Sequence, residues 1–400
     1  MDSRGGRAAR PSRFFILRGA ALFPLVFLAL LFPASRPASA QYPASFNPAA
    51  LARAAGGPFL DVQSFGADNA VPLSAIFLGH GWGGPFNPEN TNHLDLFWQA
   101  DAGAVYKSWR LAVFYRGELF AKASRDTMEF LRMTELKQDL PVGRTFNLDL
   151  NARGFAASGF EVSKGFDLAP LGFPEGLTLG VTARYLKADM IQQGTLTGTV
   201  TPTSARSYDF NLLLDYVYDR NYLYERPDTV AGTGDGYSFD LGLKYVLDPN
   251  LSAGVVLRDL FGRIYWYDTP YTTATAGSQT KFFDAQGYME FRPTISGYES
   301  YKDFTQHIPL KMDAEITYNK GPFSVRPAIT FIEYERPLCW INGAYEINPA
   351  LALNLGYNFN YSVPSLGLSY KALSIDLYAN DMDFSRASAL GFDIAASLPW

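Results

Sequence analysis

Charged side chains recur at every second position of several otherwise apolar stretches. An alternating chain would turn all of them to one face, which in a closed sheet is the interior. Opposite charges in such an interior either pair across strands into a filling polar network or form a selectivity filter or gate. Because pairing depends on strand register, the sequence leaves both readings open. These interior charges are Arg116, Glu118, Asp149, Arg153, Glu161, Arg184, Asp240, Lys244, Arg258, Lys311, Asp313, Glu315, Arg326, Asp376 and Asp393.

Histidine and cysteine offer little for catalysis or metal binding. The three histidines are His80, His93 and His307, and none has metal-ligand spacing to another His or to the single Cys339. No G-x-S-x-G motif occurs. His80 lies in GHGWGG at residues 79–84, which lacks a phosphate-loop lysine and is typical of a turn or a plug segment. We therefore expect no enzyme activity, no catalytic residue, no metal and no cofactor.

Aromatic side chains crowd residues 265–306, which we expect to form a long external loop. Tyr and Trp supply rigid, amphipathic contact area for ligands or partners. The alternative is an aromatic girdle at the membrane interface combined with packing of the loop on itself. On the first interpretation, the ligand contacts at the outer mouth would be Trp266, Tyr267, Tyr271, Phe282, Phe283 and Tyr288.

The elements that would position these side chains are β-strands. From Phe146 to Phe166, even positions are mostly apolar and odd positions mostly polar, and residues 208–218, 237–245, 310–318 and 373–379 follow the same period. The stretch from Ala389 to Trp400 also alternates and ends on an aromatic residue. In lipid, only helices and closed barrels satisfy their backbone hydrogen bonds. The pattern predicts an all-β fold, a transmembrane antiparallel β-barrel in the outer membrane.

Turn residues order the predicted strands. Short turns at residues 248–250, 319–322, 348–350 and 370–371 fall on the periplasmic side when counted back from the last strand. Longer connections, at about 121–143, 220–235, 265–306, 333–337 and 380–388, fall outside. This gives 14 to 16 strands. Residues 124–138 form either a helix capped by Ser124 or a loop.

The N-terminal 40 residues have the pattern of a secretory signal peptide. A basic stretch precedes the apolar segment at residues 19–32, and Ala38-Ser39-Ala40 is a cleavage box. Removing the six Arg and one Asp of residues 1–40 from 34 basic and 39 acidic side chains leaves 28 and 38, a net charge of −10. This acidic balance argues against nucleic acid as a partner.

Two regions resemble a known superfamily. Residues 45–52 read SFNPAALA, similar to the opening of long-chain fatty acid transporter-like outer-membrane barrels, a group that includes gliding-type secretion shuttle barrels. The hairpin INPALAL at residues 347–353 and the strands that follow it are similar to the same group. The resemblance implies a 14-stranded barrel with Asn47, Pro48 and Ala49 in an N-terminal plug. It also implies passage of a hydrophobic molecule.

We expect three regions: a signal peptide at 1–40, a plug or hatch at 41–84 in which residues 57–82 are either a first strand or part of the plug, and the barrel at 85–400. The first functional hypothesis is transport of a small hydrophobic solute across the outer membrane. The alternative is a scaffold or accessory protein for secretion or surface-polysaccharide export, and a diffusion porin is third. Expected partners are outer-membrane lipid, the hydrophobic solute, and the barrel assembly machinery through the last strand ending at Trp400.

Overall fold

The computed structural model describes residues 46–221, 232–278, 281–283, 289–291 and 294–398, and only the backbone of the two short segments 281–283 and 289–291. The predicted signal peptide and Trp400 lie outside the described residues. So does Tyr288, while Phe282 and Phe283 are described as backbone only.

Most described residues belong to β-strands. Two α-helices, α1 (Leu73–Leu78) and α2 (Arg125–Glu135), and two short 3-10 helices at Pro48–Arg53 and Ala169–Leu171 accompany them. Among the described residues, no helix has the length and apolar character needed to cross a membrane. The strands are β1 (Gly57–Asp68), β2 (Thr91–Tyr106), β3 (Trp109–Ser124), β4 (Phe146–Asp167), β5 (Leu177–Ser204), β6 (Ser207–Tyr218), β7 (Thr233–Val246), β8 (Leu251–Gly277), β9 (Lys281–Phe283), β10 (Met289–Phe291), β11 (Ile295–His307), β12 (Lys311–Lys320), β13 (Phe323–Ile332), β14 (Leu338–Asn348), β15 (Leu351–Asn358), β16 (Val363–Tyr370), β17 (Leu373–Ala379) and β18 (Ala389–Ser397).

A ring of 14 antiparallel strands closes the barrel, which confirms the predicted fold. The ring runs β1-β2-β3-β4-β5-β7-β8-β12 and then in sequence to β18, which pairs with β1 from Phe59↔Ser397 to Ala67↔Ala389. Closure leaves no free strand edge in the ring, which lipid demands.

Two further strands extend the sheet beyond the ring. β5 has 28 residues and β8 has 27, whereas about 9–11 tilted residues cross a bilayer. The halves of β5 and β8 that lie beyond the ring both pair with β6, and that half of β8 also pairs with β11. The far halves of β4, β5 and β8, together with β6 and β11, thus form a five-stranded sheet, here called the outer sheet. β9 and β10 pair with each other separately.

Side-chain alternation separates lipid from lumen. Along β3, Leu111 and Val113 are more than half exposed, while Arg110 and Arg116 on the other face are buried. The short turns, including residues 107–108, 321–322 and 371–372, lie at one end of the barrel. By the usual asymmetry of such barrels, we expect this to be the periplasmic end and name it so, and we name the opposite end the outer end.

One predicted boundary was wrong. Residues 265–306 are not one long loop, because β8 continues to Gly277 and β11 returns from Ile295 to His307. The aromatic and Thr-rich alternation of that stretch favours strand over loop. The possible first strand expected within residues 41–84 is β1, Gly57–Asp68, which is paired on both edges.

The undecided segment at 124–138 contains helix α2. The Ser124 hydroxyl accepts a hydrogen bond from the Thr127 amide at 3.1 Å, as an N-cap does. Phe130 and Met133 of α2 pack against Phe146 and Leu148 of β4. The helix therefore covers the apolar face of part of the outer sheet.

Candidate functional site

The lumen begins, at its periplasmic end, with the 3-10 helix Pro48–Arg53, here called the lumenal helix. Asn47 caps it by accepting from the Ala49 amide at 3.0 Å. The Asn47 amide group also donates to Leu243 O at 3.1 Å and to Val255 O at 3.3 Å, on two neighbouring barrel strands. Ala49 is fully buried. The motif that resembles the family opening thus ties the lumenal helix to the barrel wall.

A row of glycines makes room for this helix. Gly165, Gly180 and Gly242 are direct cross-strand partners on β4, β5 and β7. A Cβ on Gly180 would lie 2.1 Å from the Ala49 amide nitrogen of the lumenal helix. A Cβ on Gly165 would lie 2.3 Å from the Ala52 amide nitrogen of the same helix. Backbone can approach this closely only where the wall carries no side chain.

Above the lumenal helix lies a buried layer of ion pairs, here called the ionic layer. Glu161 accepts from Arg110 and, at 2.8 Å, from Arg184. Arg184 reaches Asp240 at 2.7 Å, and Arg110 reaches Asp101 at 3.1 Å. All five side chains are less than 10% exposed, so the charges satisfy one another in place of water.

A bulge in β8 brings a second group of charges into this layer. Asp259 has a φ of 59°, which places its side chain on the lumenal face next to Arg258. It accepts two hydrogen bonds from Arg116, at 2.8 and 2.9 Å, and one from Lys311 at 3.0 Å. Lys311 also contacts Glu118 at 2.9 Å. Residues on β3, β8 and β12 are thereby connected across the lumen.

Above the ionic layer, the lumen is filled by an aromatic layer. These rings project from the lumenal faces of the strands or from the loop after β15, and all are less than 8% exposed. Phe65 meets Trp340 at a centroid distance of 5.4 Å, and Phe97 meets Phe120 at 5.2 Å, both edge to face. The layer consists of Phe65, Phe97, Phe120, Trp340, Tyr361 and Tyr378.

The loop at residues 333–337 covers the outer end. Glu335 from this loop lies 2.7 Å from Arg153, 3.3 Å from Lys122 and 3.4 Å from His93, on three different strands, with 3% of its side chain exposed. Burial raises the pKa of Glu335, but His93, Lys122 and Arg153 outweigh it and hold the pKa below its ordinary value. The ion pairs of the Glu335 carboxylate therefore fix the loop at residues 333–337 over the outer end of the lumen.

Two cavities lined by described lumenal residues are small. A cavity of about 30 Å³ lies among Arg326, Asn342, Asn354 and Asp376, and another of about 10 Å³ lies beside Arg116. A cavity needs roughly 10–15 Å³ to hold one water. These two spaces suit single waters, so an organic solute could occupy either of them only by displacing side chains.

The structure brings most of the predicted interior charges to the lumen but not all to one site. Arg153 belongs to the outer loop contacts, Asp149 is exposed on the outer sheet, and Lys244 and Glu315 lie on lumenal faces at partly buried positions. In the other half of the ring, Asp376 and Asp393 are direct cross-strand partners. Arg258 of the ionic layer also pairs with Asp313. The buried members of the ionic layer that the sequence analysis named are Arg116, Glu118, Glu161, Arg184, Asp240, Arg258, Lys311 and Asp313.

The predicted aromatic contacts separate from one another. Trp266 is 1% exposed inside the barrel, and its indole NH donates to Gln306 at 3.0 Å. Tyr267 is 51% exposed on the outside. Tyr271 belongs to the outer sheet and contacts the Tyr298 hydroxyl at 2.5 Å. These three residues therefore do not form one surface.

Sequence reasoning missed Asp101, Arg110 and Asp259, and it missed the aromatic layer. Asp259 stood at a position that strict alternation assigns to lipid, where a charge is costly, and that conflict is the signal of a bulge. For the aromatic layer, the signal was rings such as Phe65 and Trp340 on faces that are otherwise polar.

Comparisons with known proteins complete the description. A family model described as "Family of unknown function (DUF5723)" matches residues 89–379. No curated protein matches the chain. Among the described residues, no group of His, Cys, Asp and Glu could hold a metal ion.

Several solved structures are similar to this chain. The P. putida toluene transporter TodX is 11% identical, with 91% of this chain and 96% of that chain covered and a TM-score of 0.46. The CymD monoaromatic hydrocarbon channel is 10% identical, covering 89% and 92%, with a TM-score of 0.35. A Pseudomonas aeruginosa FadL homologue is 10% identical, covering 92% and 98%, with a TM-score of 0.24. All three TM-scores are below 0.5, so inferences about function rest on the geometry of the lumen.

Proposed function

Since the chain belongs to DUF5723, a protein family of unknown function, we propose from its lumen that it moves a small hydrophobic solute across the outer membrane. The observation that carries this proposal is the aromatic layer. Six rings face inward, on the side of the strands where a water-filled barrel carries polar groups. They offer an apolar solute a dry, aromatic environment between two closed ends.

The order of the layers suggests the order of events. The loop at 333–337 opens when Glu335 leaves its cationic partners, and the solute enters among the aromatic rings. The ionic layer below stops free diffusion of polar solutes, because its charges are already paired and fill the section. The lumenal helix and the ionic layer must then shift to release the solute into the periplasm.

This closed arrangement favours a gated transporter over a diffusion porin. A porin needs a water-filled lumen, whereas the two cavities described here hold about 30 and 10 Å³. The signal peptide predicted for residues 1–40 and the barrel itself support an outer-membrane location.

The test compares two substitutions of Phe65, which is 1% exposed at the centre of the aromatic layer. Burial of a Phe side chain contributes about 1.5–3 kcal/mol, so Phe65→Asn should weaken binding of apolar solutes at least tenfold. Phe65→Leu keeps an apolar side chain and should retain most of the binding.

Binding and uptake are measured in vesicles with a radiolabelled aromatic hydrocarbon, a long-chain alkane and a fatty acid. Phe323→Asn, at a 58% exposed site near the periplasmic turn, is the matched control. Native mass spectrometry of the barrel extracted from its own membrane identifies any retained solute. Equal binding by the Phe65→Asn variant and the wild-type protein would refute the aromatic layer as the binding site.

A further inference from the structure

Polar side chains meet the aromatic layer on its outer side. Asp95 lies two positions from Phe97 on the same lumenal face of β2, nearer the outer end, and it is 1% exposed. Tyr361 of the aromatic layer donates its hydroxyl hydrogen to Asp95 Oδ2 at 2.5 Å. Arg336, from the loop at residues 333–337, lies over the Tyr361 ring, 4.4 Å from its centroid. Asp95 and Arg336 therefore flank one aromatic ring.

Three buried polar atoms of Asp95 and Arg336 have no hydrogen-bond partner within the part of the chain that the structure describes. They are Asp95 Oδ1, Arg336 Nε and Arg336 Nη2. Leaving a buried donor or acceptor unmet costs free energy, most of all for a charged group. Buried polar groups in native proteins nearly always have a partner. These atoms therefore point to a polar group of a ligand or to a water.

The three atoms define what that partner must offer. Arg336 supplies two hydrogens, and Asp95 supplies one acceptor oxygen. A single hydroxyl has one hydrogen to donate and two lone pairs that accept, so it would meet all three atoms at once. A carboxylate has no hydrogen for Asp95, and a hydrocarbon has neither donor nor acceptor. Tyr361 already shows this arrangement, since its hydroxyl binds the other oxygen of Asp95 while its ring packs in the aromatic layer.

The charged side chains at the outer end balance one another without a ligand. Three carboxylates face three cations there, with His93 counted as neutral. Glu333 forms a separate, more exposed pair with His307. An added carboxylate or ammonium would leave one charge unmatched in a largely buried site, which is costly, whereas a neutral hydroxyl keeps the balance. The balanced side chains are Asp68, Asp95 and Glu335 together with Lys122, Arg153 and Arg336.

We propose that Asp95 and Arg336 hold the hydroxyl head of the transported solute, whose apolar body lies among the rings of the aromatic layer. This inference rests on the proposed function and names its substrate class, which is phenols and aliphatic alcohols rather than hydrocarbons or fatty acids. Arg336 belongs to the loop that covers the outer end, so the two halves of the head-group site come together only when that loop is closed. A solute that binds both halves favours the closed loop.

The test compares solutes that share one body and differ only in the head. One series is toluene, p-cresol and p-toluate, and the other is decane, decanol and decanoate. Near neutral pH the cresol hydroxyl is uncharged, since a phenol ionises at about pH 10, whereas both carboxylates are charged. Equilibrium binding of each labelled solute to the full barrel in detergent is measured, with binding to protein-free micelles subtracted. In each series the hydroxyl solute should bind roughly tenfold more tightly than the other two, because only the hydroxyl meets all three atoms.

Arg336→Met removes both donors but keeps a long, unbranched side chain. The preference for the hydroxyl solutes should be lost, while binding of toluene and decane changes little. Arg206→Met is the matched control, because Arg206 is 86% exposed in the turn after β5, and it should keep the preference. Mobility of the unheated barrel on a gel checks the folding of each variant.

Asp95→Asn gives a second readout with the opposite sign. It removes one carboxylate from a balanced group, so p-toluate and decanoate should bind roughly tenfold more tightly than they bind the wild-type protein. A residue that only supported the fold would not produce a gain for the anionic solutes. Asp139→Asn, at a side chain that is 75% exposed, is the control and should leave their binding unchanged.

The outcomes separate this inference from the proposed function. If the wild-type protein bound the hydroxyl and hydrocarbon solutes equally, water alone would satisfy the three atoms, so the head-group site would be refuted while the proposed function stood. Tightest binding of the carboxylates by the wild-type protein, an unchanged preference in Arg336→Met, or no gain for the carboxylates in Asp95→Asn would also refute the site. Binding of no solute from either series would overturn both proposals.

Discussion

Replacing Glu335 with Gln should release the loop that covers the outer end of the lumen. The Glu335 carboxylate is 3% exposed and lies 2.7 Å from Arg153 and 3.3 Å from Lys122. A hydrogen bond to a charged group contributes about 1.5–3 kcal/mol. Since Lys122 is 32% exposed and partly screened by water, we take a total of about 2 kcal/mol. At 1.4 kcal/mol per tenfold, loop opening should become about 30 times more frequent.

Hydrogen exchange of the loop amides measures this opening directly. The Glu333 amide donates to Leu310 O at 2.9 Å and the Glu335 amide to Ile332 O at 2.9 Å, so both exchange only when the loop opens. Glu346→Gln, at an exposed site near the periplasmic end, is the control. If the Glu335→Gln variant changed protection less than threefold, or no more than the control, the carboxylate would not be what holds the loop.

The same loop should respond to pH in a defined direction. The pKa of Glu335 is lowered in the closed state, because the neighbouring cations outweigh the effect of burial. The closing free energy is then fully present above the ordinary Glu pKa and is lost as pH falls through the lowered value. In the wild-type protein, the protection of the Glu333 and Glu335 amides from hydrogen exchange, relative to an unfolded peptide at the same pH, should fall in that acidic range. The Glu335→Gln variant should show no such step.

Three further substitutions test the lumen and the outer sheet. Lys311→Met removes one of the two cations that pair with the buried carboxylates Glu118 and Asp259, while Arg116 remains. It should lower the free energy of unfolding in vesicles by about 3 kcal/mol, the low end of the range for breaking a buried pair, whereas Lys320→Met at an exposed turn should leave it nearly unchanged. Gly180→Ala places a Cβ 2.1 Å from the lumenal helix and should expose residues near Phe46 to protease; Gly343→Ala, with 3.5 Å of clearance, should not. Ser124→Ala removes the cap of α2 and should cost about 1 kcal/mol, seen as faster exchange in its first turn; unchanged exchange there would argue against the cap.

The strand period was readable from the residues. The alternation from Phe146 to Phe166 predicted a strand, and the structure has β4 from Phe146 to Asp167. A two-residue period needs no knowledge of the partners, because it depends only on which face meets lipid. The boundary at 265–306 failed for the converse reason. In that stretch, a strand differs from a loop only in whether a partner strand supplies its backbone hydrogen bonds. The local residue pattern does not reveal the partner strand.

The glycine row shows how site and fold are joined. Each glycine could be read as a generic wall position, and the NPA motif at Asn47 could be read as a family opening. Only pairing Gly165 with Gly180, and Gly180 with Gly242, reveals a path free of side chains where the lumenal helix lies. The strand register places these three glycines side by side, so that together they form one surface.

The sequence by itself determined the class of the fold, the facing of most lumenal charges and the short turns at one end, because these follow from local alternation and turn chemistry. The tertiary structure alone decided which charges pair, that the bulge turns Asp259 inward, and that Phe65 and Trp340 meet across the lumen at 5.4 Å. Such contacts join residues that lie on different strands and far apart in the sequence. Their energies depend on strand register and ring closure, which are properties of the whole barrel rather than of any segment.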